Sequence, residues 1–424
     1  MAQLRAGTVL DRKLECRTPD EARSELGARL VALVAHAFST APRVRRRLES
    51  AGIGPADIRG LGDLSRLPIT RKDSLPGWQT EEPPFGGLLG VEPGRLARLY
   101  MSPGPIFDPQ GLGEDFWRFR YALAAAGFRA GDIVLNSASY HLTPLGFMLD
   151  GGARALGCAV IPGGVGQTEL QLRAASHLGA TAYLGTPSFL FQLLTRAREA
   201  AIPLRLEVAH VLAEMLPESL RADIEAFGVR CLQSYGTADL GCLAYECVEK
   251  GGWHLHPEAL VEVIDQETGQ AAGPGQPGEV VATIFDEAYP LFRFATGDLA
   301  VLAPEAPCAC GRTAPKLAGL VGRVGDAVKV KGMFVRGGQM EAVLKRFAEA
   351  GRFRAVVTRE QHVDSLLYEI ELEIEVDAPG RAGLAEKLAE ALRDELKVRG
   401  EVKLLAKGTL PEGGKKVDDR RVWK

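Results

Sequence analysis

Three cysteines and one histidine in the second half of the chain have the spacing of a metal site. Cys247 and His254 are separated as C-x6-H, and Cys308 and Cys310 form a C-x-C pair within PCACGRT. Three thiolates and one imidazole make the closed tetrahedral ligand set that is typical of structural zinc. The sequence therefore predicts a zinc ion that stabilises the fold, since a closed set leaves no open position for catalysis.

Other assignments of these residues stay open. His256 or Cys242 could take the place of a named ligand, and His254 could instead pack in the core beside thiols that lie close by chance. A disulfide framework is disfavoured, because the seven cysteines are an odd number in a large chain whose start lacks the apolar core of an export signal.

The common phosphate-binding and nucleophile motifs do not occur in the sequence. In IPGGVGQTE, Gly164 and Gly166 have the spacing of a dinucleotide fingerprint, but Glu169 stands where the third glycine belongs. Neither GxxxxGK[ST] nor GxSxG is found. Rossmann-type and Walker-type nucleotide sites and a serine nucleophile elbow are therefore not predicted.

Four other segments combine hydroxyl, carboxylate and cationic side chains with glycine. They are YGTAD at 235–239, TGDL at 296–299, GRVGD at 322–326 and GK at 414–415 within TLPEGGKKVDDRR. In the order and spacing of these segments the chain resembles the AMP-forming adenylating superfamily, and within it the phenylacetate-coenzyme A ligase family. The resemblance runs from about Arg43 to the C-terminus and includes AGIGPADIRGLGDLSRLPITRKDSL, LGCAVIPGGVGQTELQL and ECVEKGGWHLHPE.

The resemblance implies adenylation, in which a carboxylate attacks the α-phosphate of ATP and pyrophosphate leaves. Charge builds up on phosphate oxygens, so the site needs fixed cations and hydrogen-bond donors. By the resemblance, Tyr235 stacks on the adenine, Asp298 accepts hydrogen bonds from both ribose hydroxyls, and Arg323 assists from the side of the hinge. Taken alone, the TGD segment would also fit a turn at a strand end. The further nucleotide-binding residues that the resemblance implies are Ala213, Glu214, Ser234 and Gly236.

Two residues of the YGTAD segment are expected to act in catalysis. The family has a threonine directly before the acid, where this chain has Ala238, so Thr237 is the displaced candidate for binding the α-phosphate. Asp239 stands where the family carries an acid near Mg²⁺.

The resemblance also implies roles for residues of the C-terminal part. Lys415 corresponds to the lysine that reaches the α-phosphate when the small domain closes, and Lys416 is an adjacent competitor. Asp326 falls at the hinge of the domain rotation that separates adenylation from thioester formation, although a turn-capping carboxylate would fit this position too. Gly332 would line the path of the coenzyme A pantetheine.

The expected phosphate loop departs from the family pattern. Where the family has a stretch rich in Ser, Thr and Gly, this chain has SPGPIFDP at 102–109, in which only Ser102 and Gly104 survive as donors. Its prolines lack N–H groups, and Asp108 adds a negative charge. Each lost hydrogen bond to a charged group costs about 1.5–3 kcal/mol, so this loop should bind terminal phosphates weakly.

By the resemblance, the acyl pocket is expected at the loop SYHLTP at 139–144 and one turn beyond it. Tyr140 and Phe147 suit an apolar or aromatic acid, although such aromatic residues are also common in ordinary cores. His141 could meet the carboxylate of the acid or cap the following helix.

The elements that carry these segments predict an α/β fold. Between about 115 and 212, helices separate short apolar strands, which implies right-handed crossovers and a parallel sheet. From about 259 to 302, LVEVID, GEVVATIF and DLAVLA have the pattern of antiparallel strands, and the last hundred residues suggest a separate α+β domain. We therefore expect a large domain over 1–325, with parallel and mixed sheets and a β-rich part at about 240–320, and a small mobile lid domain over 326–424.

Composition limits the classes of function. The 424 residues are enough for two or more domains, and 46% hydrophobic residues are enough for a large core. A formal charge of −3 argues against nucleic acid, and no apolar run is as long as a membrane span. We expect a cytoplasmic protein without nucleic-acid or membrane partners, and dimerisation through the N-terminal helices stays open.

These observations together predict an ATP-dependent, AMP-forming acyl- or aryl-coenzyme A ligase. Its substrates would be an aromatic or other organic acid, Mg²⁺-ATP and coenzyme A. Two alternatives are kept. One is transfer of the adenylyl or acyl group to another acceptor, and the other is a non-catalytic relative that binds AMP or an acyl adenylate, which the altered phosphate loop suggests.

Overall fold

The computed structural model of the chain describes residues 5–102, 105–266, 268–273, 275–324, 328–331, 333–360, 363–374, 376–411 and 415–421. The side chains of residues 323, 329, 334, 378 and 379 are not described. The chain divides into two compact units, of which the first comprises Met1–Leu212 and Arg221–Gly322 and the second Ala213–Leu220 and Arg323–Lys424.

The α-helices of the described ranges are α1 (Arg12–Glu15), α2 (Pro19–Thr40), α3 (Pro42–Ser50), α4 (Leu75–Glu81), α5 (Arg120–Ala126), α6 (Leu145–Ala155), α7 (Thr168–Leu178), α8 (Pro187–Glu199), α9 (Glu218–Glu225), α10 (Gly337–Leu344) and α11 (Ala378–Leu396). A capping box fixes the start of α2, because Thr18 and Glu21 each bond the other's backbone N–H through their side chains. The apolar periodicity from about 20 to 50 predicts one or two helices, and Pro42 begins α3, so the pattern forms two.

The strands are β1 (Thr70–Arg71), β2 (Arg98–Ser102), β3 (Ile106–Gln110), β4 (Ile133–Asn136), β5 (Ala159–Pro162), β6 (Ala182–Gly185), β7 (Val208–Val211), β8 (Arg230–Thr237), β9 (Gly241–Tyr245), β10 (Trp253–Leu255), β11 (Ala259–Ile264), β12 (Pro277–Ile284), β13 (Phe294–Leu302), β14 (Lys316–Arg323), β15 (Val328–Val330), β16 (Met333–Val335), β17 (Ala350–Glu360), β18 (Val363–Leu372), β19 (Glu401–Leu405) and β20 (Val417–Asp419). They confirm the predicted mixed α/β class.

One sheet organises the first unit, with the order β11-β12-β13-β14-β10-β9-β8-β7-β6-β4-β5 and with β1 added beside β13. The strands from β4 to β8 are parallel, as the helix–strand alternation predicts. Strand β8 then pairs antiparallel with β9, so the β-rich part continues the parallel sheet. Strands β2 and β3 form a separate antiparallel hairpin.

Two predicted helices have different bounds in the structure. The helix expected from about 115 begins at Arg120, because the Asp115 carboxylate accepts the backbone N–H groups of Phe119 and Arg120 and so caps its start. The segment GQMEAVLKRFAEA at 338–350 predicts a helix to about residue 350, but α10 ends at Leu344, because the chain from Ala350 onward pairs with β18.

The second unit has its own sheet, in the order β19-β18-β17-β20, and a short β15–β16 ribbon. Helices α10 and α11 share a buried apolar core with this sheet, to which Val330, Tyr368, Ile370, Leu388 and Leu392 contribute. Over the ranges that the structure describes, no helix is long and apolar enough to cross a bilayer.

Candidate functional site

The two residues expected to hold the nucleoside are in direct contact. Tyr235 lies on β8 and Asp298 on β13, and the tyrosine hydroxyl lies 2.9 Å from Asp298 Oδ2 and 3.0 Å from Thr296 Oγ1. On its other side, the Tyr235 ring stacks on Trp253, with 6.5 Å between ring centroids. Tyr235 is 5% and Asp298 7% exposed, so the pair forms a largely dry, pre-ordered polar cluster.

A tight connection between β8 and β9 positions the residues that follow Tyr235. A Cβ on Gly236 would lie 2.3 Å from the carbonyl oxygen of Gly241, so only glycine fits at this position. Thr237 Oγ1 accepts a hydrogen bond from the Leu240 backbone N–H at 3.2 Å. The residue before Tyr235 contacts the neighbouring strand, since Ser234 Oγ lies 2.8 Å from His210 Nε2 of β7.

Asp239 is paired with a lysine that the sequence does not single out. Lys72 Nζ donates to Asp239 Oδ2 at 2.5 Å, across 167 residues of chain. Strand β1 places Lys72 there, because it pairs with β13 at Thr70 and Arg71. No local spacing could have indicated this contact, which depends on a long-range strand pairing.

Asp108 lies close to this ion pair. It is 2% exposed on β3, and its carboxylate oxygens form no hydrogen bond of standard geometry in the described part of the chain, although Ser102 interacts with them. Burial and then the Asp239 carboxylate raise the pKa of Asp108 to about 7, whereas Lys72 acts in the opposite direction.

The expected phosphate loop joins β2 to β3. Ser102 is buried and pairs with Ile106 at the end of the hairpin, while Gly104 lies outside the described residues. The Gln79 side chain of α4 bonds both the N–H and the C=O of Phe107, at 2.9 and 2.8 Å. The second strand of the hairpin is therefore anchored to α4.

The predicted metal ligands converge. One ligand atom from each of Cys247, His254, Cys308 and Cys310 lies within 4.8 Å of the others. The Sγ atoms of Cys247 and Cys308 are 3.7 Å apart, and Cys310 Sγ lies 3.4 Å from His254 Nε2. Burial lowers the pKa of His254 to about 4, so the imidazole is neutral at pH 7, which is the form that binds metals.

The two alternative ligands have other surroundings. His256 Nε2 lies 3.0 Å from the carbonyl oxygen of Arg118, and its Nδ1 accepts the backbone N–H of Glu258. Cys242 is buried, with its Sγ 4.0 Å from the carbonyl oxygen of Ala244. The geometry therefore favours the four ligands first named.

The residues expected to line the acyl pocket belong to a chain of aromatic rings. Tyr140 and Phe147 meet edge to face with centroids 5.0 Å apart, and Phe147 lies 5.6 Å from Tyr100. Tyr100 in turn lies 5.8 Å from Trp117. His141, which follows Tyr140 in the sequence, is exposed. Tyr100 and Trp117 were not predicted, since they come from elements that are distant in sequence.

The C-terminal positions are described only in part. Lys415 is exposed, whereas Lys416 donates to Glu341 Oε2 at 2.6 Å. In the same unit, Ala213 has a φ of 69° and Glu214 is partly buried. Asp326, Gly332 and Gly414 lie outside the described residues, as does the side chain of Arg323.

Sequence comparisons identify full-length relatives. A phenylacetate-coenzyme A ligase of Thermus thermophilus is 34% identical over 441 aligned positions, which cover 95% of this chain and 97% of that protein. A phenylacetate-coenzyme A ligase of Aromatoleum evansii is 30% identical, with 91% and 89% covered. The family model for the AMP-binding enzyme C-terminal domain matches residues 332–422.

A comparison of folds gives a consistent result. A crystal structure of 2-hydroxyisobutyryl-CoA ligase, in complex with 2-HIB-AMP and CoA, superposes with a TM-score of 0.88. The alignment covers 96% of this chain and 92% of that one, at 24% identity. At this identity the likeness establishes the fold. The names of the sequence relatives do not favour the non-catalytic alternative or another acceptor.

Proposed function

The chain belongs to the phenylacetate-coenzyme A ligase family of AMP-forming ligases, and from this membership we propose that it couples an aromatic carboxylic acid to coenzyme A through an acyl adenylate. The observation that carries the site assignment is the contact between Tyr235 and Asp298. A cytoplasmic location and a homodimer stay predictions from the sequence.

Asp298 is the proposed acceptor for the ribose hydroxyls. A carboxylate has two oxygens and accepts several hydrogen bonds, so it can receive two vicinal hydroxyls. The Tyr235 hydroxyl at 2.9 Å fixes the orientation of that carboxylate. The same tyrosine offers its ring to the adenine, which couples recognition of the base to recognition of the sugar.

Thr237 and Lys415 are the proposed partners of the α-phosphate. Thr237 follows Gly236 at the end of β8 and is partly exposed. Lys415 is preferred to Lys416, because the Lys416 ammonium already forms an ion pair with Glu341. A cation at the α-phosphate stabilises the charge that develops as the acid attacks and pyrophosphate leaves.

Asp239 is the proposed ligand of magnesium. Its Oδ1 is buried without a hydrogen-bond partner among the described residues, which fits a carboxylate that coordinates a cation. Magnesium, when bound there, would neutralise phosphate charge.

The four converging thiol and imidazole side chains fit zinc, and we propose that this ion is structural, because the set is closed.

An aromatic acid is the proposed substrate class. The ring chain from Trp117 through Tyr100 and Phe147 to Tyr140 offers apolar surfaces at which an arylacetate could stack. Arg98 lies over the Phe147 ring at 4.7 Å and places a cation beside these rings. Gly332 stays the proposed lining of the coenzyme A path and Asp326 the proposed hinge.

Pyrophosphate exchange tests the proposal. The wild-type protein should exchange labelled pyrophosphate into ATP only when an arylacetic acid is present. Lys415→Met should lower this exchange by about 100-fold or more, the usual effect of removing a transition-state donor. Lys416→Met is the matched control and should stay within a few-fold of wild type.

Asp298→Asn probes the nucleoside contact in the same assay. Loss of a charged acceptor should raise the KM for ATP about 10- to 100-fold. No exchange with any member of a broad panel of acids would refute the proposed activity. Equal exchange by the two lysine variants would remove Lys415 from the mechanism.

A further inference from the structure

A group of buried polar atoms lies beneath the hairpin that carries the altered phosphate loop. Lys72 neutralises Asp239 through Oδ2, but Asp239 Oδ1 and both oxygens of Asp108 form no hydrogen bond of standard geometry among the residues described. The hydroxyl of Tyr289 is likewise buried without a hydrogen bond of standard geometry within the described ranges, and it interacts with both carboxylates and with the Gln79 side chain. Four oxygen atoms of three side chains thus lack such a hydrogen bond in one place.

The charges of this group do not balance. Asp108 and Asp239 together carry two negative charges when ionised, and Lys72 supplies one positive charge. A buried carboxylate without a partner is strongly unfavourable, so buried charges in proteins are paired or coordinate a metal ion. The remaining negative charge is neutralised either by a proton on Asp108 or by a cation that reaches the carboxylate oxygens.

The ligand chemistry favours a hard divalent cation. Carboxylate and hydroxyl oxygens are the ligands that Mg²⁺ and Mn²⁺ prefer, and such ions are usually held by one or two carboxylates together with substrate phosphates. Asp108 belongs to the very loop whose prolines have removed backbone donors. A cation held at this point would supply the positive charge that the loop lacks.

We infer that Asp108 and Asp239 jointly hold the divalent cation that accompanies the triphosphate, so that a metal ligand replaces phosphate-binding donors in this loop. The inference deepens the proposed function and rests on it for the identity of the nucleotide. Asp108 is then a binding residue, and Lys72 is a positioning residue that holds the Asp239 carboxylate through Oδ2.

Binding of Mn²⁺, followed by electron paramagnetic resonance, tests the inference without requiring turnover. The full-length protein is titrated with Mn²⁺ alone and with Mn²⁺ plus a non-hydrolysable ATP analogue. Asp108→Asn should weaken Mn²⁺ binding about 10- to 100-fold in the presence of the analogue, as expected for loss of a group that supports a metal. Asp108→Glu keeps the charge and should retain part of the affinity.

Glu369→Gln is the control, because Glu369 is a partly buried carboxylate in the second unit that is ion-paired with Arg354 at 2.7 Å. It should bind Mn²⁺ as wild type does. Thermal melting gives a second readout. Mg²⁺ with the analogue should raise the melting temperature of wild type more than that of Asp108→Asn, which tests the site even if the substitution alters stability.

Two results would overturn the inference. One is wild-type Mn²⁺ affinity in Asp108→Asn. The other concerns the infrared C=O band of a protonated carboxylic acid, assigned to Asp108 by its absence in Asp108→Asn. If this band persists in wild type with Mg²⁺ and the analogue, Asp108 holds a proton instead of a metal. If Mn²⁺ binds as expected while no acid supports pyrophosphate exchange, the cation site stands and the proposed ligase activity fails. If the wild-type protein exchanges pyrophosphate normally but Asp108→Asn binds Mn²⁺ as tightly as wild type does, the ligase activity stands and the cation site fails.

Discussion

His210 is an imidazole that lies completely within the parallel sheet. It is 0% exposed on β7, and its Nε2 lies 2.8 Å from Ser234 Oγ, one residue before Tyr235. Burial lowers the pKa of His210 to about 3, so the ring is neutral whenever the protein is folded at moderate pH. The neighbouring strand β8, which carries the proposed nucleotide-binding residues, therefore contacts an uncharged histidine.

The protein should lose stability on acidification in part through His210. The folded pKa of about 3 lies below the ordinary value of 6.5, so between these limits the unfolded chain binds the proton and the folded chain does not. The contribution is present above pH 6.5 and is lost as the pH falls, by about 2 kcal/mol between pH 7 and pH 5. Denaturant unfolding at both pH values should show a smaller loss in His210→Gln.

His141→Gln removes an exposed imidazole and is the matched control for this experiment. It should show the same acid destabilisation as wild type. If His210→Gln loses as much stability on acidification as wild type does, the buried imidazole is not a source of the pH dependence.

At the level of secondary structure, a buried ion pair joins α9 to the strands of the site. Arg221 of α9 donates to both oxygens of Glu246, at 2.8 and 3.0 Å, and to the carbonyl oxygen of Cys231. Glu246 follows β9 and also accepts the backbone N–H of Gln233. This network fixes one helix against β8, which carries the start of the YGTAD segment, and against the end of β9.

Glu246→Gln should destabilise the protein by about 3–5 kcal/mol, because it leaves the Arg221 charge buried without its partner. Thermal unfolding monitored by circular dichroism is the measurement. Glu169→Gln breaks an ion pair with Arg196 whose side chains are 59% and 49% exposed, and its melting temperature should not change measurably. Equal shifts in the two variants would argue against the buried pair as a stabilising element.

The cysteine–histidine cluster predicts a metal-dependent stability of the strands β9, β10 and β14. Purified wild-type protein should contain zinc by mass spectrometry of the metals. Cys310→Ser should reduce the zinc content at least about tenfold and lower the melting temperature. Cys16→Ser changes a cysteine outside the cluster and should keep the metal. Wild-type protein without zinc, or full zinc in Cys310→Ser, would contradict the assignment.

At the scale of the whole molecule, the second unit has the structural features of a domain that folds independently. Its sheet of four strands and its two helices bury a core of their own, which includes Tyr368, Ile370, Leu388 and Leu392 at 0% exposure. A closed apolar core of this kind is what allows a domain to fold alone.

Residues 323–424 expressed alone should therefore fold cooperatively, with a melting temperature of about 45–65 °C. Circular dichroism with temperature is the measurement. Leu388→Asp places a charge in this core and should abolish the transition in the fragment. A fragment that is unfolded without the substitution would show that the core is insufficient by itself.

The sequence by itself indicated the class of the protein, most of its elements and part of its candidate site residues. Local patterns suffice for this, because helix caps, apolar periodicity and short motifs act between near neighbours, as at Thr18 and Glu21. Ligand chemistry predicted a cluster of Cys247, His254, Cys308 and Cys310 and left His256 and Cys242 open as alternatives, and the structure brings the first four together.

Only the tertiary structure decided which side chains meet. The Lys72–Asp239 pair joins residues 167 positions apart, and the Tyr235–Asp298 contact joins residues 63 positions apart. Strand order across the large sheet sets both contacts, and no local signal encodes that order. The same packing buries Asp108 beside Asp239, because the pairing of β2 with β3 fixes which face of the hairpin is turned inward.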